Sequence, residues 1–166
     1  MVDMIINLDK MARRPIAQID WFDGCLAMID TGAIIPIWTL TDNDLIEIGA
    51  TLERKNVSFG GFGGEAVGNQ YRINFKLGDI IYVDMPIIAK EMSDLSCHMI
   101  LPATMFEKII YTIDDIHKTL EIKILDNQIV RNLRMSNDNG GISVYLAGTY
   151  ETIEEYSICP TVPPTQ

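Results

Sequence analysis

Short apolar runs with a period of two, separated by turn residues, dominate the pattern of the chain. Residues 16–22 alternate apolar and polar side chains and then meet Asp23-Gly24, a hairpin signal when it falls between two apolar runs. Residues 25–29 are apolar throughout, as a strand buried on both faces would be, and lead straight into Asp30-Thr31-Gly32. Residues 54–59 and 66–77 predict two strands of a long hairpin with a glycine-rich tip at Gly60-Gly61-Phe62-Gly63-Gly64. Gly78-Asp79 turns the chain into a further strand over 80–89, rich in β-branched residues. Met99-Ile100-Leu101 predicts a short strand. Residues 111–113 and 119–124 flank a polar turn at 114–118, and residues 129–135 and 142–146 flank Asn137-Asp138-Asn139-Gly140-Gly141; each pair predicts a hairpin.

Two segments break the β pattern. Residues 41–48 predict a short helix, with Thr41 as its cap, Asp44 in its first turn and Gly49 at its end. Pro102 suits the first turn of a second helix reaching about Ile109. Residues 90–96 are polar and loop-like, and the proline-rich end, 160–166, predicts fraying. Many short strands with turn signals between them predict an all-β protein, a closed or nearly closed β-barrel with one or two short helices. No repeat or boundary divides the chain. The expectation is one domain over 1–166, its core at about 16–125, with 126–166 as an extra C-terminal hairpin and tail.

Composition narrows the function. A chain of 166 residues, 48% hydrophobic, is long enough to bury a real core. Its formal net charge of −10 repels phosphate backbones, so no nucleic-acid partner is expected. Cys25, Cys97 and Cys159 have neither metal-ligand nor redox spacing, and read as buried or idle thiols in a reducing cytoplasm. His98 and His117 lack a ligand cluster, so no metal and no other cofactor is expected. The first residues carry no basic segment followed by a long apolar one, and no apolar stretch is long enough to cross a bilayer. The expectation is a cytoplasmic protein with no membrane partner.

Asp30 is the candidate for chemistry. Peptide hydrolysis without a metal or a nucleophilic side chain needs an activated water, and two carboxylates held side by side supply it. Like charges about 3 Å apart cannot both ionise, so the pair shares one proton. The ionised member takes a proton from water and the protonated one donates to the scissile carbonyl. Such a carboxylate belongs at the end of a rigid, dry strand, which residues 25–29 provide for Asp30. Thr31 offers a hydroxyl to anchor the turn, and Gly32 lets the backbone bend close to the carboxylate. Alone, Asp-Thr-Gly reads as an ordinary turn after a strand. A phosphate cradle at the glycine cluster is disfavoured, because no Gly-Lys-Ser/Thr follows it. Asp138-Asn139-Gly140 has no apolar strand before it and reads as a hairpin turn.

Three features in order give the chain a family resemblance. Leu26-Ala27-Met28-Ile29-Asp30-Thr31-Gly32-Ala33 resembles the active-site strand and loop of the retropepsins, the retroviral-type aspartic peptidases. Val57-Ser58-Phe59-Gly60-Gly61-Phe62-Gly63-Gly64 resembles their glycine-rich flap, at about the family's distance downstream. His98-Met99-Ile100-Leu101, a short helix and Tyr111-Thr112-Ile113-Asp114 are similar to their second apolar strand and C-terminal helix. The resemblance covers about residues 16–124. It implies a homodimeric retropepsin-like closed β-barrel, with the site at the dimer seam, acting as an aspartic endopeptidase on a peptide or protein substrate. Asp30 would be catalytic. Thr31 would brace the partner's loop, and Gly32 and Ala33 would complete the active-site loop. Phe59, Gly60, Gly61, Phe62, Gly63 and Gly64 would form the flap over the substrate, with Phe62 near its tip. The chain departs from the family at Pro102, where glycine is usual, and in residues 126–166, which have no counterpart. In retroviral members both termini pair across the dimer; this tail, or residues 1–14, would replace that sheet. The alternative is a non-catalytic binding or dimerisation module on the same barrel.

Overall fold

The structure, a computed structural model, describes residues 1–61, 64–138 and 141–158. Its strands in chain order are β1 (Val2–Asn7), β2 (Ile16–Ile19), β3 (Cys25–Ile29), β4 (Ile37–Trp38), β5 (Thr51–Gly61), β6 (Gly64–Leu77), β7 (Ile80–Ala89), β8 (Met99–Leu101), β9 (Ile110–Asp114), β10 (Thr119–Ile124), β11 (Val130–Asp138) and β12 (Gly141–Tyr150). Two short helices, α1 (Asp42–Glu47) and α2 (Ile153–Ile158), accompany them. The protein is mostly β-sheet, as its alternating sequence predicts.

A small antiparallel sheet runs β1-β10-β9. The larger sheet follows the path β12-β11-β7-β4-β8-β3-β2, with the β5–β6 hairpin joined to β7. β7 is the branch point. Ile81, Tyr82 and Val83 pair in parallel with β11, and Ile88 and Ala89 pair in parallel with β4. The opposite edge of β7 is taken by β6. The expected closed barrel is therefore not found among the described residues. A strand that shares its length among three neighbours makes the sheet fork, and the path ends at β2 and β12 without a ladder to join them.

The central strands explain the runs without alternation. β4 and β8 are buried at every residue, and β3 at all but Leu26. Trp38, Phe75, Tyr82, Met85, Ile87, Ile88 and Met99 are fully buried around them. α1 forms where Thr41 caps it: the Thr41 hydroxyl accepts the Asp44 N–H at 3.2 Å. Leu45 is its one buried residue, and Gly49, at φ +108°, ends the turn. The helix expected after Pro102 is shorter than the sequence suggests. A 3-10 turn spans Ala103–Phe106, with Pro102 at its N-cap, and the extended backbone of Glu107 stops it.

Three elements escape the sequence pattern. β4 has only two residues, and α2 has no buried residue to create a periodic face. β1 pairs with β10 of its own chain, so the sheet built by the N-terminal residues is intramolecular. The C-terminal hairpin is also integral to the fold. Arg131 on β11 is fully buried and holds the turn after β8: it donates to the Glu107 carbonyl, and at 3.4 Å to both the backbone and side-chain oxygens of Gln128. Its guanidinium lies 6.0 Å from the Tyr82 ring centroid, and the Tyr82 hydroxyl donates to the Met105 carbonyl at 2.6 Å. Burial lowers the Arg131 pKa and raises that of Tyr82. The tips of both long hairpins, at Phe62-Gly63 and Asn139-Gly140, and the proline-rich end lie outside the described residues.

Gly68 fixes how closely the β5–β6 hairpin sits on β7. A Cβ there would lie 2.4 Å from the Ala89 carbonyl oxygen and 2.6 Å from Ile88 Cγ2. Gly68→Ala is expected to cost about 1–3 kcal/mol, the usual penalty for overpacking. Gly60→Ala meets nothing within 4 Å and is the control from the same hairpin. Denaturant unfolding of both variants measures the difference; equal midpoints would show that the contact does not constrain the fold.

Candidate active-site loop

β3 lies between β2, antiparallel on one side, and β8, parallel on the other, with Ala27, Met28 and Ile29 opposite Met99, Ile100 and Leu101. The end of β3 is held from both flanks. The Ile29 N–H donates to the Pro15 carbonyl at 2.9 Å, and the Asp30 N–H donates to the Leu101 carbonyl at 3.0 Å. The chain then turns on Asp30 itself. Asp30 Oδ1 accepts the Gly32 N–H at 3.0 Å, and the Asp30 carbonyl accepts the Ala33 N–H at 3.0 Å. A side chain that closes its own turn in this way has little rotational freedom. A Cβ on Gly32 would come within 3.3 Å of Asp30 Oδ1, so glycine gives the carboxylate room.

Asp30 is half-buried, Thr31 and Gly32 are exposed, and Ala33 packs partly against the core. Ile34 is exposed and the following Ile35 is buried. The loop thus presents a carboxylate and a hydroxyl to the outside from a rigid base. Among the described residues no hydrogen bond joins Asp30 to a second carboxylate, so one chain does not assemble an acidic pair by itself.

His98 contributes something the sequence does not announce. At the entry to β8 the His98 imidazole Nδ1 accepts the Leu26 N–H at 3.0 Å, while the His98 backbone N–H donates to the Leu26 carbonyl at 2.8 Å. The ring stands in for a backbone carbonyl in the β3–β8 ladder, which puts its proton on Nε2. It sits edge-on to Phe22 at 5.2 Å and beside Trp38. The only hint in the sequence is a histidine directly before an apolar strand. Cys25 and Cys97 lie at the same end. Burial pushes the Cys25 thiol up to about 12 and raises that of Cys97. Among the described residues no group of three or more His, Cys, Asp or Glu side chains is placed to hold a metal ion. No described helix is long and apolar enough to cross a membrane.

The expected flap residues divide. Phe59 pairs with Ala66 and is buried in the core, so it anchors the hairpin rather than facing outward. Gly60 pairs with Glu65, and Gly61 with Gly64. Phe62 and Gly63 lie outside the described residues. A cleft of about 980 Å³ opens elsewhere, between the base of the β5–β6 hairpin and the β11–β12 hairpin, and is lined by neither Asp30 nor any of these glycines.

No known family's sequence profile and no curated protein matches the chain. Among solved structures, it is similar to a retropepsin-like aspartic protease from Rickettsia conorii. The match has a TM-score of 0.43 and 16% sequence identity, covering 74% of this chain and 91% of that one. Similarity at that level is too slight to assign a family.

The buried thiols give a direct check on the dryness of β3, at its end away from Asp30. A thiol raised to about 12 stays protonated in the folded protein at pH 8, and Cys25 is also shielded by packing. Iodoacetamide is expected to leave Cys25 and Cys97 unmodified in the native protein and to label both in denaturant, read by peptide mass mapping. Rapid native labelling of Cys25 would mean that β3 is not the dry strand described.

Proposed function

We propose that the chain is a retropepsin-like aspartic endopeptidase, active as a symmetric homodimer in which two Asp30 carboxylates meet. The observation that carries this reading is the placement of Asp30. It follows a buried strand, its backbone is tied to Leu101, and its carboxylate is oriented by the Gly32 N–H. A carboxylate held this way is a poised half-site, and the two-fold axis of a dimer would supply the other half. The pair shares one proton; the charged member activates water and the neutral member polarises the scissile carbonyl. The exposed Thr31 hydroxyl is free to brace the partner's loop, and Ala33 packs behind it. The glycine-rich hairpin, anchored in the core by Phe59, is the flap over the peptide. A non-catalytic binding module on the same fold is the second reading, favoured by the large cleft remote from Asp30.

Asp30→Asn is expected to abolish peptide cleavage while leaving fold and dimerisation unchanged, because an amide does not act as the base. The comparison is cleavage of a peptide library by wild type and variant, with sedimentation of both. Wild-type turnover by the variant, free of contaminating protease, would remove Asp30 from the mechanism. An inactive wild type that still dimerises would favour the binding module. Gly32→Ala is expected to keep the fold but to lower kcat/KM by about tenfold, because its Cβ displaces Asp30 Oδ1 by tenths of an ångström.

A further inference from the structure

A two-fold dimer needs a surface that matches its own copy, and the free edge of a sheet is one such surface. Most edges of this fold are closed or blunted among the described residues. The outer side of β2 is met by residues 8 and 9: Leu8 bridges to Ala17, and the Asp9 N–H donates to the Ile16 carbonyl at 2.8 Å. β5 is interrupted by register shifts between Leu52 and Arg54 and between Arg54 and Val57, and carries Glu53, Arg54 and Lys55. β12 packs against β5 and α2. The terminal segments are engaged within one chain, β1 on β10 and the β11–β12 hairpin on β7.

β9 differs. It pairs with β10 on one side without a register shift and has no strand on the other. Its sequence, Ile110-Tyr111-Thr112-Ile113-Asp114, contains no proline and no lysine, the residues that most often blunt an edge. Ile110 is 60% exposed and Ile113 37%. Isoleucines left open beside a row of unpaired backbone groups are an aggregation hazard in a lone chain, and a permanent partner removes it. The strand also adjoins the candidate site. Leu101, whose carbonyl holds the Asp30 N–H, leads through the 3-10 turn into β9, and Phe106 of that turn lies against Tyr111 with ring centroids 4.6 Å apart.

We propose that β9 is the strand through which two copies of the chain join: its free edge pairs antiparallel with β9 of a second copy, merging the three-stranded sheet of each into one continuous sheet. The inference rests on the homodimer reading above and names its seam. A strand paired antiparallel with its own copy has a two-fold axis through the ladder, the symmetry that two Asp30 carboxylates also require. With the axis at Tyr111, Ile110 of one copy faces Thr112 of the other on the outer side. Ile109 faces Ile113 on the side where Tyr111 packs against the core. Lys108, just ahead of the strand, comes beside Asp114, so the charges that meet at each end are of opposite sign. A five-residue ladder is a small part of the roughly 1,200–2,000 Å² that a stable interface buries, so the Asp30 loops share the seam.

Sedimentation velocity and kcat/KM on one peptide are measured over the same concentrations for three proteins. They are wild type, the double variant Ile110→Lys with Ile113→Lys, and the control Ile5→Lys, an exposed position on β1 of the same sheet. Wild type and control are expected to dimerise alike. The double variant should keep its fold, read by circular dichroism, and weaken the dimer by about a hundredfold, because pairing would desolvate the added ammonium groups. Its kcat/KM should fall with the dimer and recover on concentration. Amide hydrogen exchange gives a check that needs no variant: residues 110–114 should exchange about tenfold or more slowly in the wild-type dimer than in the diluted monomer. A double variant that dimerises like wild type, or β9 amides that exchange equally in dimer and monomer, would overturn the seam and leave the peptidase reading in place. A wild type that stays monomeric at every concentration would overturn both. A dimer that the β9 lysines break but that never cleaves peptide would support the seam and remove the peptidase reading.

Discussion

The parallel pairing of β3 with β8 is the constraint on which the rest of the structure depends. A strand buried on both faces has no water for its N–H and C=O groups, so each needs a protein partner. β3 meets this demand through β2 on one side and β8 on the other, and its last rung is the bond from Asp30 to Leu101. The carboxylate is thereby registered against the core rather than carried on a free loop. Where β8 begins too late to offer a carbonyl, the His98 ring accepts the Leu26 N–H instead. Losing that acceptor would leave a donor without a partner, a cost of about 1–3 kcal/mol where it is buried.

β7 is the second organising element, because it joins the two parts of the molecule. Through β4 it supports β8 and so the Asp30 end; through β11 it carries the C-terminal hairpin. Arg131 reinforces this link from β11 to the turn after β8, with its guanidinium directed to backbone oxygens rather than to a carboxylate. A fully buried cation is costly unless such acceptors surround it. Residues 130–158 are thus not an appendage. They complete one side of the cleft and are tied to the segment that positions the candidate loop.

Much of this was legible in the sequence, for reasons that are physical. β3 and β8 stand out because double-sided burial demands uninterrupted apolar runs, and β5, β6 and β7 because glycine and aspartate mark their turns. The cap at Thr41 is local chemistry, so α1 was legible too. What the sequence did not reveal depends on long-range partners. β1 forms because β10, more than a hundred residues later, accepts it. β4 is two residues that pair with strands from elsewhere, and α2 packs on β12 with an exposed, acidic surface. The branch at β7, which keeps the barrel open, follows from pairings that no local pattern encodes. At the candidate site, the Asp30 turn was readable from Asp-Thr-Gly after an apolar strand. The role of His98 was not, since it lies in the pairing of two strands 72 residues apart. Phe59 reads as a flap residue by position, yet its side chain belongs to the core.

The central claim is that each active unit needs an Asp30 from each of two chains. Subunit mixing tests it most directly. Wild type and Asp30→Asn chains are exchanged at known ratios and fixed total concentration, and kcat/KM is followed on one peptide substrate. If both carboxylates are required, activity falls as the square of the wild-type fraction, reaching about a quarter at an equal mixture for random pairing of a two-fold dimer. A fall only to about three quarters, as when one Asp30 suffices per dimer, or a linear fall to about half, as when each chain acts alone, would contradict the account.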